Sequence, residues 1–276
     1  MQKHSLILIV IVLVSMSHIT KAQLENPAMG ARAYGMANAS VTLKDHWSVF
    51  NNIGGMAGIK NISGQVAYHN RFGIANFQTF ALGVVAPVKV GVAGLSVSRF
   101  GDNLYSEQRL GLGYSHQIKN VSLGAKINYV QVRIQDLGSQ GAFAFEFGGV
   151  ARISKEITFG AHIYNFNQGR LKTSFGDAEK VPVIMKAGLS YQPVKALLIN
   201  IETEKDIDLP ATFKAGIEYE LVKYIYLRTG VQTEPFNNFF GIGFTPRWFQ
   251  LNYALSTNDA LGVSHHLSFT YQLGKK

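Results

Sequence analysis

The strongest constraint on the fold is an alternation of apolar and polar residues that recurs from about Gly64 almost to the C-terminus. The last run reads Leu267, Ser268, Phe269, Thr270 and Tyr271. A period of two places the apolar side chains on one face of a β-strand and the polar ones on the other. About fourteen such runs follow one another. Because only a closed sheet leaves no unpaired backbone group in lipid, we expect an all-β, transmembrane antiparallel barrel of about fourteen strands over residues 61–274.

Individual strands can be placed from the same pattern. Strand 121–134 is clear, with Val121, Leu123 and Ile127 on one face and Ser122, Gly124 and Lys126 on the other. The pattern also predicts strands over residues 108–118 and 142–153. The longest polar breaks, at residues 167–180 and 205–209, are predicted to be extracellular loops, and the short connection near residue 119 a periplasmic turn.

Residues 1–22 have the composition of a signal peptide. Lys3 precedes an apolar stretch from Leu6 to Val14, and Ala22 supplies a small residue at the expected cleavage site. This stretch is too short for a transmembrane helix, which needs about 20 apolar residues. Export to the outer membrane of a Gram-negative cell is the prediction, and an uncleaved membrane anchor is the alternative.

Composition narrows the class of protein further. The chain has no cysteine, which excludes a lipoprotein and a disulfide-stapled scaffold. Its formal charge of +9 comes from single Lys and Arg residues, without the aromatic-interleaved basic run of a nucleic-acid site. The basic residues are therefore expected to line a lumen or to contact outer-membrane lipid, and no nucleic-acid partner is predicted. A secreted β-sandwich or propeller is the alternative fold.

No motif for catalysis or for a cofactor is found. The run from Gly94 to Ser98 lacks the second glycine of a nucleophile elbow, and Pro246 takes the place of the third glycine in a phosphate-loop pattern. His265 and His266 alternate faces in a strand, so the two cannot bind one metal together. We therefore predict a protein that is not an enzyme and has neither a cofactor nor a metal.

Several charged residues stand inside the alternating runs. They are Lys126, Glu146, Lys186, Glu202, Lys214, Glu218 and Arg228. A Lys or Arg on the lipid face costs about 2–4 kcal/mol at mid-bilayer, so we expect these side chains to face the lumen and pair there. Two interpretations stay open: a polar pathway for a solute, or a salt-bridge network that closes the barrel.

Residues 23–60 do not alternate, and they carry a family resemblance. The motif residues are Gly30, Ala31, Arg32, Gly35, Met36, Asn52 and Gly55. The segment resembles the opening of the PorV/PorQ family, outer-membrane barrels of Bacteroidetes that are distantly similar to the FadL fatty-acid transporters. Ala37 replaces a family glycine, and Asn52-Ile53-Gly54-Gly55-Met56 stands where the family has Asn-Pro-Ala-Gly-Leu.

The resemblance implies a fourteen-strand barrel with residues 23–60 inside the lumen, like a plug. It further implies a component of a type IX-like protein secretion or surface-attachment apparatus, whose loops 167–180 and 205–209 would contact protein partners. The alternative that it implies is a FadL-like channel for a hydrophobic ligand, through a lumenal path and a lateral opening.

Overall fold

In the computed structural model, which describes residues 24, 26–171, 179–258 and 260–274, fourteen strands form the wall of a barrel. They are β1 (Ser63–Asn70), β2 (Gln78–Pro87), β3 (Val92–Gly101), β4 (Tyr105–Ile118), β5 (Val121–Ile134), β6 (Gly138–Arg152), β7 (Ile157–Tyr164), β10 (Ile184–Val194), β11 (Leu197–Asp206), β12 (Thr212–Val222), β13 (Ile225–Gln232), β14 (Asn237–Phe244), β15 (Phe249–Asn258) and β16 (Gly262–Gln272). Two short strands, β8 (Arg170–Leu171) and β9 (Glu179–Lys180), pair with each other outside the wall.

The wall is a closed antiparallel meander. Each strand pairs with its neighbours in the chain, except that β10 follows β7 in the wall, and β1 pairs with β16 to close the sheet. The predicted all-β, fourteen-strand barrel is confirmed. The predicted starts of two strands are wrong: β4 and β6 start three and four residues earlier, at Tyr105 and Gly138, where polar and glycine residues hide the alternation. The predicted loop 205–209 also starts too early, because Lys205 and Asp206 still belong to β11.

The two faces of the wall differ as the alternation predicts. Along β5, Leu123 and Ile127 are exposed on the outside, whereas Ser122 and Lys126 are buried inside. An outer surface of large apolar side chains suits lipid, and the inner surface is polar or small. Within the described residues, no helix reaches the length and hydropathy needed to cross a membrane.

The barrel has two different ends. The turn end holds the first residue of β1, the last residue of β16 and six short turns. The loop end holds the connections 71–77, 102–104, 135–137, 165–183, 207–211, 233–236 and 259–261. In outer-membrane barrels the short turns are periplasmic and the longer loops extracellular.

Residues 26–58, with Leu24, lie inside the barrel and form what we call the plug, and residues 59–62 connect it to β1. Its regular elements are α1 (Ala31–Tyr34), α2 (Ser48–Asn51) and the 3₁₀-helix η1 (Ile53–Gly58). Near the turn end, Val49, Ile53 and Met56 of the plug form an apolar core with Val85 and Val92 of the wall. The predicted signal peptide, residues 1–22, falls outside the described residues.

Glycines on the inner face of the wall make room for the plug. A Cβ atom added to Gly216 would lie 2.5 Å from the Met36 carbonyl oxygen, and one added to Gly230 would lie 2.7 Å from the Ala37 nitrogen. These contacts are to plug backbone, which a side-chain rotation cannot relieve. Glycine at these two wall positions therefore allows the plug backbone to lie where it does.

Candidate functional site: the plugged lumen

All seven strand-interior charges of the sequence analysis lie buried in the lumen, each no more than 7 % exposed. Six of them form three pairs that stand directly opposite each other on neighbouring strands. The pairs are Lys126 with Glu146, Glu202 with Lys214, and Glu218 with Arg228. Lys186 stands opposite Glu204, a residue that the sequence reasoning missed. Glu204 lies two residues after Glu202 in β11 and therefore faces the lumen as well. This spacing is the sequence signal that could have identified it.

The first charge cluster lies on β5, β6 and β7. Lys126 Nζ is 3.4 Å from Glu146 Oε1, and Asn128 Nδ2 donates to the same oxygen at 2.7 Å. His162 Nε2 lies 3.3 Å from Glu146 Oε2. Glu146 is thus surrounded by three partners from the wall alone, and this cluster ties neighbouring strands together.

The second cluster, on β10 to β12, also holds the plug. Lys214 Nζ lies 2.6 Å from Glu204 Oε2 and 3.7 Å from Glu202 Oε1. The other oxygen of Glu202 accepts hydrogen bonds from the backbone N–H groups of Ser40 and Val41, at 2.8 and 2.7 Å. Charge-assisted hydrogen bonds of this kind are about twice as strong as neutral ones, so Glu202 anchors the plug.

The third cluster is centred on Glu218 and contains the motif residue Arg32. Arg32 binds Glu218 through two nitrogen atoms, at 2.6 and 2.8 Å, and Asp45 through a third at 3.0 Å. Arg228 Nε donates to Glu218 at 2.6 Å. Burial alone would lower the pKa of Arg32, but the carboxylates of Glu218 and Asp45 raise it above its ordinary value. Glu218 therefore joins two cations, one from the plug and one from the wall.

The other motif residues shape and fasten the plug. Gly30 has a φ of 91° and packs against Trp47, and the Ala31 N–H donates to Ser268 Oγ. Asn52 Nδ2 donates to carbonyl oxygens of Val41, in the plug, and Gly149, in the wall. Further motif contacts are those of Gly35 with Arg228, Met36 with Gly216 and Gly55 with Leu43 and Ser48. These contacts give the motif residues a local packing role.

A cavity of about 350 Å³ lies at the loop end of the lumen, between the start of the plug and β2–β4. We call it the aromatic cavity. Its apolar lining is Pro27, Met29, Phe77, Phe100 and Tyr105, and its polar lining is Arg71, Thr79, Ser98, Glu107 and Arg109. The Arg71 guanidinium lies 5.1 Å from the centre of the Phe100 ring. Ligand pockets commonly combine aromatic walls with a few polar groups in this way.

A second and more polar cavity, of about 560 Å³, lies across the lumen. Its lining includes Glu204, Asp206, Lys214 and Glu234. Pro27 lines both cavities, so the first residues of the plug divide the loop end of the lumen into an aromatic and a polar compartment.

The described flanks of the predicted loop 167–180 fold toward the lumen. Leu171 and Val181 are 1 % and 2 % exposed, in a cluster with Leu24 of the plug and Tyr164 of the wall. Residues 172–178 fall outside the described part of the chain. The inner flanks of this loop thus cover the start of the plug.

Two of the histidines form a buried group with Tyr34. His69 and His266 face each other across β1 and β16, and the Tyr34 ring stacks on His266 with ring centres 3.5 Å apart. His265 lies on the opposite, exposed face. Within the described ranges, no group of three or more His, Cys, Asp or Glu residues is arranged to hold a metal ion.

Comparison with known proteins identifies the fold. No family model and no curated protein sequence matches the chain. Among solved structures, it resembles the Pseudomonas putida toluene transporter TodX with a TM-score of 0.71 at 11 % identity, over 90 % of this chain and 99 % of that one. It resembles the Ralstonia pickettii toluene transporter TbuX with a TM-score of 0.72 at 10 % identity, over 90 % of this chain and 99 % of that one.

A Pseudomonas aeruginosa FadL homologue is also similar, with a TM-score of 0.66 and 14 % identity over 91 % of this chain and 99 % of that one. The fold is therefore that of FadL-like outer-membrane barrels. The FadL side of the resemblance is confirmed at the level of fold, whereas the PorV/PorQ family membership remains a prediction.

Proposed function

We propose that this protein is an outer-membrane channel, without catalytic activity, for small hydrophobic molecules. The aromatic cavity is the observation that carries the proposal. An apolar cavity of about 150 Å³ is enough to bind benzene, so about 350 Å³ accommodates a one-ring hydrocarbon. The similarity to two toluene transporters supports this ligand class over a protein cargo.

In this proposal, the described structure is the closed state of the channel. The plug fills the lumen below the cavity, and every neighbouring pair of wall strands is hydrogen-bonded. A ligand in the aromatic cavity touches Pro27 and Met29, which belong to the plug. Passage toward the periplasm therefore needs movement of the plug or of the wall, and the plug is the element that the ligand contacts directly.

Filling the aromatic cavity tests the proposal. Ser98 points into the cavity from β3, so Ser98→Trp should occupy the ligand's space and lower the initial rate of radiolabelled toluene uptake by about tenfold, equal to about 1.4 kcal/mol. The assay uses cells whose own copy is deleted and replaced by each variant.

Val97, the next residue along β3, is 40 % exposed on the outer face. Val97→Trp adds the same side chain without entering the lumen and should leave toluene uptake unchanged. Equal uptake by wild type, both variants and the deletion strain would refute the proposal.

The secretion or surface-attachment function is the second hypothesis. It would place protein partners on loops 167–180 and 205–209, at the loop end. Removal of residues 172–178 distinguishes the two hypotheses. If the protein is a secretion component, the deletion should abolish co-purification of its protein partners. If the protein is a channel, the deletion should leave toluene uptake intact.

A further inference from the structure

The turn end of the barrel carries a ring of cations. Six short turns connect the strands there, and each contains one Lys or Arg. These residues are Lys89, Lys119, Lys155, Lys195, Lys223 and Arg247. The seventh position, where the wall begins and ends, has Lys60 just before β1. We call these seven residues the basic ring.

The basic ring is exposed and not neutralised by neighbouring carboxylates. All seven side chains are exposed, and within the described residues none of them forms a salt bridge. Glu156 is the single carboxylate in the six turns, all of which the structure describes in full. Seven cations thus surround one rim of the barrel with almost no opposing charge.

The fully described loops at the other end of the barrel carry the opposite net charge. Five of its loops are fully described, and four of them carry one carboxylate each, while the fifth carries Arg71. The four carboxylates are Asp102, Asp136, Asp208 and Glu234. The positive charge of the turn end is therefore a property of that rim and does not follow from the overall charge of +9.

A belt of tyrosine and tryptophan lies beside the basic ring. Its members, all between 41 % and 52 % exposed on the outer face near the turn end, are Tyr114, Tyr191, Tyr219, Trp248 and Tyr271. Tyrosine and tryptophan rings mark the depth of the lipid headgroups. Lys223 Nζ also lies 5.0 Å from the centre of the Tyr224 ring. The basic ring therefore lies at headgroup depth.

We propose that the basic ring binds the headgroups of anionic phospholipids in the leaflet at the turn end. The cations occur once per hairpin around the whole circumference, which matches a surrounding layer of lipid. A binding site for an acidic protein would instead have its cations clustered on one side of the barrel. Basic residues beside a membrane attract anionic lipid, and this attraction decays within a Debye length. The inference rests on the membrane location proposed above and is independent of the ligand in the lumen.

Lipid retention during native mass spectrometry tests this inference. The protein is released from micelles with equal amounts of phosphatidylglycerol and phosphatidylethanolamine. We expect wild type to retain phosphatidylglycerol preferentially. The triple variant Lys119→Gln, Lys155→Gln and Lys195→Gln, which neutralises three neighbouring turns, should lower this preference by about threefold or more.

The matched control neutralises three cations near the loop end, Arg99→Gln, Arg133→Gln and Lys205→Gln, and should keep the preference. An equal decrease of the phosphatidylglycerol preference in both triple variants would overturn the inference. An unchanged preference in the ring variant would also overturn it, and is the result expected if the true partner of the ring is an acidic protein. If the ring variant fails to fold, raising the ammonium acetate concentration to about 0.5 M should abolish the preference of wild type. A preference that does not change with salt would then overturn the inference.

Discussion

Replacing Gly216 by valine is expected to displace the plug and make a closed barrel conduct ions. The new Cβ atom would lie 2.5 Å from the Met36 carbonyl oxygen and 2.8 Å from its Cα atom. Because these are backbone atoms, the plug must shift as a unit. Overpacking of this kind costs about 1–3 kcal/mol. A cost of about 1.4 kcal/mol changes the ratio of displaced to closed plug tenfold. We expect the conductance of planar bilayers containing the variant to rise about tenfold or more over wild type.

Gly64→Val is the matched control for this experiment. Gly64 also lies in a wall strand, but a Cβ atom there meets nothing within 4 Å. This variant should conduct no better than wild type. A Gly216→Val barrel that folds and stays closed would show that the plug can adapt in place, contrary to our description of its fit.

Replacing Glu218 by alanine is expected to loosen the plug by removing its central anchor. Arg228 of the wall would lose its carboxylate partner, and Arg32 of the plug would keep only Asp45. Breaking a buried ion pair from one side costs about 3–5 kcal/mol, because a buried charge is left uncompensated. We expect a loss of this size in the free energy of plug release.

Fluorescence of Trp47 measures this release. The chain has two tryptophans; Trp47 is buried in the plug, and Trp248 lies on the outer face of the wall. In a Trp248→Phe background, the red shift of Trp47 in urea reports the plug alone. Glu218→Ala should lower the urea midpoint strongly.

Glu156→Ala, in an exposed turn, serves as the control and should not change the midpoint. Identical midpoints for the Glu218 and Glu156 variants would mean that the ion pairs do not hold the plug.

The wall of the barrel could be predicted from the sequence because its physical cause is local. A strand that faces lipid on one side and a filled lumen on the other must alternate, as β5 does from Val121 to Val130. Where the inner or outer face is occupied by Gly or polar residues, as at the start of β6, the alternation disappears and the boundary is misplaced.

The anchoring of the plug could not be predicted, since it depends on contacts between distant residues. Arg32 and Glu218 are 186 residues apart, and Glu202 binds the plug through backbone N–H groups that no side-chain pattern reveals. Glu204 was missed because it lies near the end of its strand, where a lumenal position and a loop look alike. The basic ring was equally hidden, because its cations are single residues in sequence and form a ring only when the barrel closes.

The most direct test of the channel function is to locate a hydrophobic probe in the lumen. Crystals of the protein soaked with iodobenzene allow the iodine to be found by anomalous scattering. Our account predicts a peak inside the barrel among Met29, Phe77 and Phe100, and its loss in Ser98→Trp. Iodine peaks confined to the outer face of the wall, with none inside the lumen, would contradict the proposal that this barrel admits small hydrophobic molecules.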